Sequence, residues 1–305
     1  MAAHDPALDV LLAAAERVDA ALERLLPSTD EPCGRLHDAM RYSTLSPGKR
    51  LRPALALAAC RALGGDESEC LAPASALEMV HAYSLIHDDL PAMDDDDLRR
   101  GRPTSHVAYG EAMAILAGDA LHTLACEVLA THPPGDERAI LRSRIQAHVL
   151  PAIGWRGMVG GQALDMELTG RGSAASESDL ESSHVRKTGA LIRASILLGA
   201  EVAGASRDAV AAMADFGAVA GHAFQVVDDV LDVTSDAASL GKTGGKDAQA
   251  AKVTYPAVLG LTAARAKAKE LTARAIGLLD ALPVPAGGDP SHLRLLTRFI
   301  LERSS

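Results

Sequence analysis

Aromatic side chains are scarce. The 305 residues hold one Trp, four Tyr and three Phe, 3% of the chain. Hydrophobic residues still make up 48%, so alanine and leucine must build the interior. That favours close-packed helices over a sheet, which draws on β-branched and aromatic side chains. Cysteine is sparse as well. Cys33, Cys60, Cys70 and Cys126 are scattered, with no metal-ligand spacing, and read as reduced core thiols of a cytoplasmic protein. Positive charge is in deficit, with a formal net charge of −10. This argues against nucleic acid and against an anionic membrane surface as partners. No uninterrupted apolar run approaches the ~18 residues needed to span a bilayer. Asp5, Asp9 and Glu16 interrupt the apolar pattern at the N-terminus, unlike a signal peptide. There is no internal repeat and no long linker. Pro133-Pro134-Gly135 and residues 169–176 read as loops. The length suffices for one large core, and residues 1–305 are read as one domain.

What the chain does have is a dense block of charge. His87-Asp-Asp-Leu-Pro-Ala-Met-Asp-Asp-Asp-Asp-Leu-Arg-Arg-Gly-Arg-Pro103 places six carboxylates within ten residues, followed at once by three arginines. Crowded carboxylates repel and raise each other's pKa. A divalent cation removes that strain, and Mg²⁺ held by a few carboxylates plus substrate phosphates is a common arrangement. Guanidinium forks suit the same phosphate oxygens. An exposed acidic helix end or a weak calcium loop is the competing reading. A second cluster, Phe224-Gln-Val-Val-Asp-Asp-Val-Leu-Asp232, lies far downstream in an otherwise apolar helical run. Its spacing puts Asp228 and Asp232 on one face with Asp229 beside them. Charges are rarely buried in an apolar helix unless paired or metal-bound. Two such faces across a cavity would suit a diphosphate.

Between the clusters the pattern is helical. Residues 6–26 carry a stripe of Leu8, Leu11, Leu12, Ala15, Val18 and Leu22, fit for packing, including against a partner subunit. Gly48-Lys-Arg-Leu-Arg-Pro53 precedes an apolar run, and Pro53 fits the first turn of a helix. Lys49 and Arg52 would stand at that helix's positive end, where amides favour an anion. An ordinary basic loop is the alternative. Residues 74–90 read as one helix. His81 lies two turns before Asp88 on its face, as a ligand group or as a structural histidine. Pro91 must break that helix, freeing the later aspartates to curl back. Residues 106–129 and 137–149 read as further helices. Gln162 and Asp165 share a face in Gly160-Gly-Gln-Ala-Leu-Asp165, where glycines permit close approach. Lys187-Thr-Gly189 opens an apolar helix over 190–200. Gln225 stands one turn before Asp228. Leu240-Gly-Lys-Thr-Gly-Gly-Lys246 lacks Walker spacing and reads as a surface loop or as a lid bearing Lys242. Residues 253–279 and 292–302 read as closing helices.

These motifs resemble, in order and spacing from about Leu36 onward, the trans-isoprenyl diphosphate synthases (polyprenyl synthetases). The four residues between Asp89 and Asp94 resemble the bacterial farnesyl diphosphate synthase branch. The resemblance implies an all-α, single-domain helical bundle around a central apolar cavity. It implies Mg²⁺, with Mn²⁺ as an alternative, held by Asp88, Asp89, Asp94, Asp228, Asp229 and Asp232. Lys49, Arg52, His81 and Arg100 would bind isopentenyl diphosphate. Arg99, Lys187 and Lys242 would bind the allylic diphosphate, while Thr188 and Gln225 face the reacting carbons. Asp95, Asp96 and Asp97 match flanking acids, and Gln162 and Asp165 a supporting motif. Lys252 is a weaker candidate than Lys242 for the diphosphate, and Lys246 carries no assigned role. Pro47 stands where a glycine is common. A homodimer is implied by the family alone.

The chemistry implied is ionisation of the allylic diphosphate, attack by the isopentenyl double bond and proton loss to released diphosphate, in a pocket closed to water. Tyr83, five residues before Asp88, occupies a position that limits chain length in the family, so farnesyl diphosphate is the expected product. Geranylgeranyl diphosphate synthase is the alternative. A terpene cyclase would lack the second acidic motif and the basic motif at 48–53. A di-iron bundle would need Glu-x-x-His pairs. A non-catalytic synthase subunit would be expected to lose aspartates that are all present here.

Overall fold

The computed structural model describes residues 5–169, 175–234 and 253–302. Within them the chain is almost wholly helical. The order begins α1 Pro6–Leu25, α2 Gly34–Thr44, α3 Leu51–Ala62 and α4 Glu67–Asp88. A short hairpin follows, β1 Leu98–Arg99 and β2 Arg102–Pro103, then α5 Ser105–Tyr109, α6 Glu111–Thr131, α7 Ala139–Ile153, α8 Met158–Leu168 and α9 Glu177–His184. A single π-turn, Val185–Gly189, leads into α10 Ala190–Val202, and α11 Arg207–Thr234 follows. The last described helices are α12 Tyr255–Leu259, α13 Leu261–Asp280 and α14 Ser291–Leu301.

Helix α4 is the axis. It packs against α1, α3, α6 and α10, and its residues from Cys70 to Ile86 are buried almost all round. A helix apolar on every side must be surrounded, and alanines at 74, 76 and 82 let neighbours approach closely. Asp66 caps its start by accepting from the Ser68 amide at 2.8 Å, as an N-cap acid does. The helix therefore begins earlier than the expected residue 74 and accepts Pro73 in its second turn. On the far side α10 packs against α3, α7 and α11, and α11 against α13. The buried side chains form one connected core.

Two expected helices are each split in two. Gly110, at φ 89°, separates α5 from α6, and Gly260, at φ 81°, separates α12 from α13. Such angles favour glycine. On α1 the core face is Ala7, Leu11, Ala14, Val18 and Leu22, while Leu8 and Leu12 are 42% and 54% exposed, so the predicted stripe is corrected by two positions. Glu111–Thr131 and Arg207–Thr234 are long and apolar enough on average to cross a bilayer. Here they pack on α4 and α10, and α11 carries the second acidic cluster.

Candidate active site

Helix α4 ends at Asp88, two residues short of the predicted end, with Asp89 as its C-cap. The chain then folds back. The Asp94 amide donates to the Asp88 carbonyl at 2.8 Å, and the Asp96 amide to the Asp89 carbonyl at 3.2 Å. Pro91 cannot continue the helix, so the acidic run wraps the helix end. The arginines come next on the hairpin, in register Leu98↔Pro103 and Arg99↔Arg102. Its two-residue loop is Arg100-Gly101, at φ 53° and 76°, the paired positive angles of a type I′ turn. Arg99 clamps Asp89 with a fork, Nε at 2.8 Å and Nη2 at 2.6 Å from Oδ1. Arg100 reaches back to the basic motif, donating to the Pro47 carbonyl at 2.5 Å. Gly48 makes room for it, since a Cβ there would meet Arg100 Nη1 at 2.5 Å.

The second face belongs to α11. Asp229 is buried. It accepts from the Tyr255 backbone amide and from Gln225 Nε2, both at 2.9 Å. Burial pushes its carboxyl up to about 7. Buried His184 sits 3.8 Å from it, and burial pulls that imidazole down to about 4. Asp228 is half-buried and Asp232 exposed. The Asp228 charge is close enough to act on Arg52 from α3, so the second acidic motif and the basic motif share one field.

Against the first of these faces lies a cavity of about 610 Å³. Arg52, His81, Asp88, Lys187 and Thr188 form its polar part. Leu90, Met93, Ile115, Met158, Val159 and Met166 supply apolar wall. Burial pushes the Asp88 carboxyl up to about 6, with Lys187 opposing and Asp94 adding to the rise. Arg52 is half-buried, and its Nε lacks any hydrogen-bond partner. A buried guanidinium N–H without an acceptor is costly, and an anion would satisfy it. His81 is held well below its ordinary value by burial and by the charges of Arg52, Arg100, Arg99 and Arg50, so it is a neutral ring able to donate or accept. Lys187 Nζ is held at 2.6 Å by Asp165 on α8. That contact requires close backbones, and a Cβ on Gly161 would meet the Lys187 nitrogen at 2.1 Å. The π-turn is what presents Lys187 and Thr188 side by side, in keeping with the habit of π-bulges to mark functional sites. Gln162 also lines the cavity, with its Oε1 buried and unpartnered.

Some expected site residues have neighbours outside the cavity. Gln225 is engaged with Asp229 rather than with the cavity wall. Lys49 is exposed and lies 5.8 Å from the Phe299 ring, away from the cavity lining. The residue between, Arg50, is the buried one. It pairs with Asp19 at 2.7 Å and Glu78 at 2.9 Å, a role that sequence reading missed. Lys242, Lys246 and Lys252 lie outside the described residues.

The donor set fits a hard divalent cation, since carboxylate oxygens are its ligands and both Asp88 and Asp229 are raised toward protonation. Among the described residues, no three His, Cys, Asp or Glu side chains converge to hold a metal by themselves. A cation here would take further oxygens from substrate and water, as Mg²⁺ commonly does. Two of the six expected aspartate ligands already have partners. Asp89 is neutralised by Arg99, and Asp229 is bonded to Tyr255 and Gln225. Each carboxylate keeps further lone pairs with which to meet a cation.

The polyprenyl synthetase family model matches residues 34–280. Farnesyl diphosphate synthase of Escherichia coli is 48% identical over 270 residues, 88% of this chain and 89% of that protein. Heterodimeric geranylgeranyl pyrophosphate synthase large subunit 1 of Arabidopsis thaliana is 46% identical over 270 residues, 88% of this chain and 72% of that protein. The structure of a Helicobacter pylori geranyltransferase, complexed with magnesium and isoprenyl diphosphate, superimposes with a TM-score of 0.83 at 32% identity, covering 99% of this chain and 100% of that one. Sequence and all-α fold are thus shared with these proteins, and the chain belongs to the polyprenyl synthetase family, as a prenyltransferase of the trans-prenyl diphosphate synthase kind.

Proposed function

We propose that this protein makes farnesyl diphosphate by condensing isopentenyl diphosphate with dimethylallyl and then geranyl diphosphate. The observation that carries the reading is Tyr83. Its ring is buried in the wall of the cavity below Asp88, where it can stop a growing chain. Geranylgeranyl diphosphate is the second reading, favoured by the near-equal identity to relatives named for either product.

When bound between Asp88 and Asp94 on one side and Asp228 and Asp232 on the other, Mg²⁺ would neutralise the leaving diphosphate as a Lewis acid. Lys187 adds positive charge where that leaving group forms, fixed by Asp165. The allylic C–O bond breaks and its electron pair leaves with the diphosphate. Arg52, neutral His81 and Arg100 hold isopentenyl diphosphate so that its double bond meets the allylic cation. The Thr188 hydroxyl, on the cavity wall, offers a dipole to that cation. The proton then lost is accepted by the released diphosphate, since no side chain stands out as a base. The apolar wall excludes water that would quench the cation.

A homodimer and a cytoplasmic location belong to the same proposal. Ile115, Val159 and Met166 combine cavity contact with 44%, 49% and 49% exposure, an apolar rim that a second copy would cover. The four cysteines are free thiols, which fits a reducing compartment. The deciding experiment incubates the protein with radiolabelled isopentenyl diphosphate and each allylic primer, then sizes the products. Chiefly fifteen-carbon chains are expected. Chiefly twenty-carbon chains would give the second reading, and no condensation would end both.

A further inference from the structure

A second cavity, of about 290 Å³, lies behind the π-turn and between α7, α10 and α11. Arg156, Arg186 and Arg193 line it, and Pro151, Ala152 and Ala194 contribute apolar floor. No acid is among its lining residues. Arg193 Nε donates to the Ala214 carbonyl at 3.2 Å, and Arg186 Nη1 to the Ser182 carbonyl at 2.9 Å and to the Ser182 hydroxyl. Arg156 lies over the Trp155 ring at 4.7 Å. None of the three is ion-paired among the described residues. His148, also on the wall, is taken by Glu201 at 3.0 Å, and Glu201 stands outside the lining.

Three arginines line one concavity that has no acid in its lining, and this in a chain of net charge −10. An anion would supply the missing counter-charge, and the planar fork suits phosphate oxygens. The location gives such an anion a consequence. Within one π-turn, Arg186 and Gly189 face this back cavity while Lys187 and Thr188 face the front one. The turn is wedged against α8 at Gly161, so its two sides cannot move independently.

We infer that the back cavity is a second anion site, taking a phosphate-type group, and that its occupancy acts on the turn that carries Lys187 and Thr188. Two sources share that chemistry: inorganic diphosphate, which a prenyl transfer releases, and the diphosphate head of a prenyl diphosphate.

The test fills the front cavity with Mg²⁺, isopentenyl diphosphate and an unreactive thiolo analogue of geranyl diphosphate, then titrates inorganic diphosphate by calorimetry. One further equivalent per chain is expected in the wild type. Arg193→Gln and Arg156→Gln should each weaken it about tenfold or more, the scale of a lost charge-assisted contact. Without added diphosphate both variants should keep wild-type kcat and KM. Farnesyl diphosphate in place of inorganic diphosphate separates the sources: tighter binding assigns the site to the prenyl head, weaker binding to the inorganic ion. Saturation by the thiolo analogue reports separately on the front site, so failure there is distinguishable. No further equivalent, or one unaffected by both variants, overturns the site. Binding that leaves the wild-type kcat unchanged overturns its action on the turn.

Discussion

Arg50 Nη1 lies 2.9 Å from Glu78 Oε1, and both side chains are buried. The pair ties the start of α3 to the middle of α4. Arg50 takes a left-handed φ of 46°, an uncommon angle for a non-glycine residue, so the loop before α3 is held by what Arg50 binds. Asp19 and the Ser46 carbonyl complete its contacts. Arg52 enters the cavity two residues later. Glu78→Leu leaves a buried guanidinium short of its partner and should cost about 3–5 kcal/mol, the range for breaking a buried pair. It should also raise the KM for isopentenyl diphosphate more than it lowers kcat. Urea unfolding and steady-state kinetics check both. Unchanged stability would mean that the pair is not what holds the loop.

Asp88→Ala and Asp228→Ala should each cut turnover by about 10²–10³-fold or more, on the scale of losing preorganised charge stabilisation, while leaving circular dichroism unchanged. EDTA should abolish activity and Mg²⁺ restore it. Full turnover in EDTA or in either variant would sink the two-faced metal site.

The two substrate sites should separate kinetically. Arg52→Ala should chiefly raise the KM for isopentenyl diphosphate, and Lys49→Ala should do so less, because Lys49 lies away from the cavity lining. Lys187→Ala should chiefly lower kcat or affect the allylic partner. Asp165→Asn should act in the same direction as Lys187→Ala but more weakly, because Asp165 only holds that lysine. Equal effects on both substrates in every variant would refute the division.

Much of this arrangement was legible before the fold. Helix periodicity, the two acidic clusters and the basic motif name the cavity's main groups, because charge set in an apolar helical run is conspicuous. What escaped depends on contacts between distant segments. Nothing near Asp89 in sequence says that Arg99 will neutralise it, since that needs the hairpin to turn back at Arg100-Gly101. Asp229 looks equivalent to Asp228 until the Tyr255 amide is seen at its oxygen. Leu8 and Leu12 fit the α1 stripe by period, yet the buried arc is centred one position away. The π-turn at 185–189 carries no local signature beyond Gly189.

His81 should make the protein acid-sensitive. Its pKa is lowered in the fold, so the unfolded chain binds a proton below about pH 6.5 that the folded protein refuses. Stability is therefore fully present above the ordinary histidine value and is lost as pH falls below it, by at most about 1.4 kcal/mol per pH unit for one group. His184 acts in the same direction, toward about 4, so the comparison must isolate His81. The fall in unfolding free energy from pH 7 to 5 should be shallower in His81→Gln than in the wild type. Parallel curves would show that His81 is not the group concerned.

Tyr83 should govern where the hydrocarbon stops. It lies five residues before Asp88, about 7.5 Å along the helix at 1.5 Å per residue, on the side away from the diphosphate. Helix geometry turns it roughly 140° from Asp88, yet its ring lines the same cavity. The bracing explains how. His122 on α6 meets it edge-on at 4.9 Å, and His87 from its own helix at 5.9 Å. His87 fits there because α6 has glycine at position 118, where a Cβ would strike the imidazole at 2.1 Å. The Tyr83 hydroxyl is buried without a partner, so no hydrogen bond explains its placement, and the ring's bulk is what the cavity receives. Ser84 beside it is small and adds no second barrier. Tyr83→Ala should open the floor and move the main product from fifteen carbons to twenty or more, with kcat for the first condensation nearly unchanged. His122→Ala, which removes the brace and not the floor, should broaden the product distribution less. Chromatographic sizing of the chains checks both, and identical product profiles in Tyr83→Ala and wild type would place the floor elsewhere in the cavity.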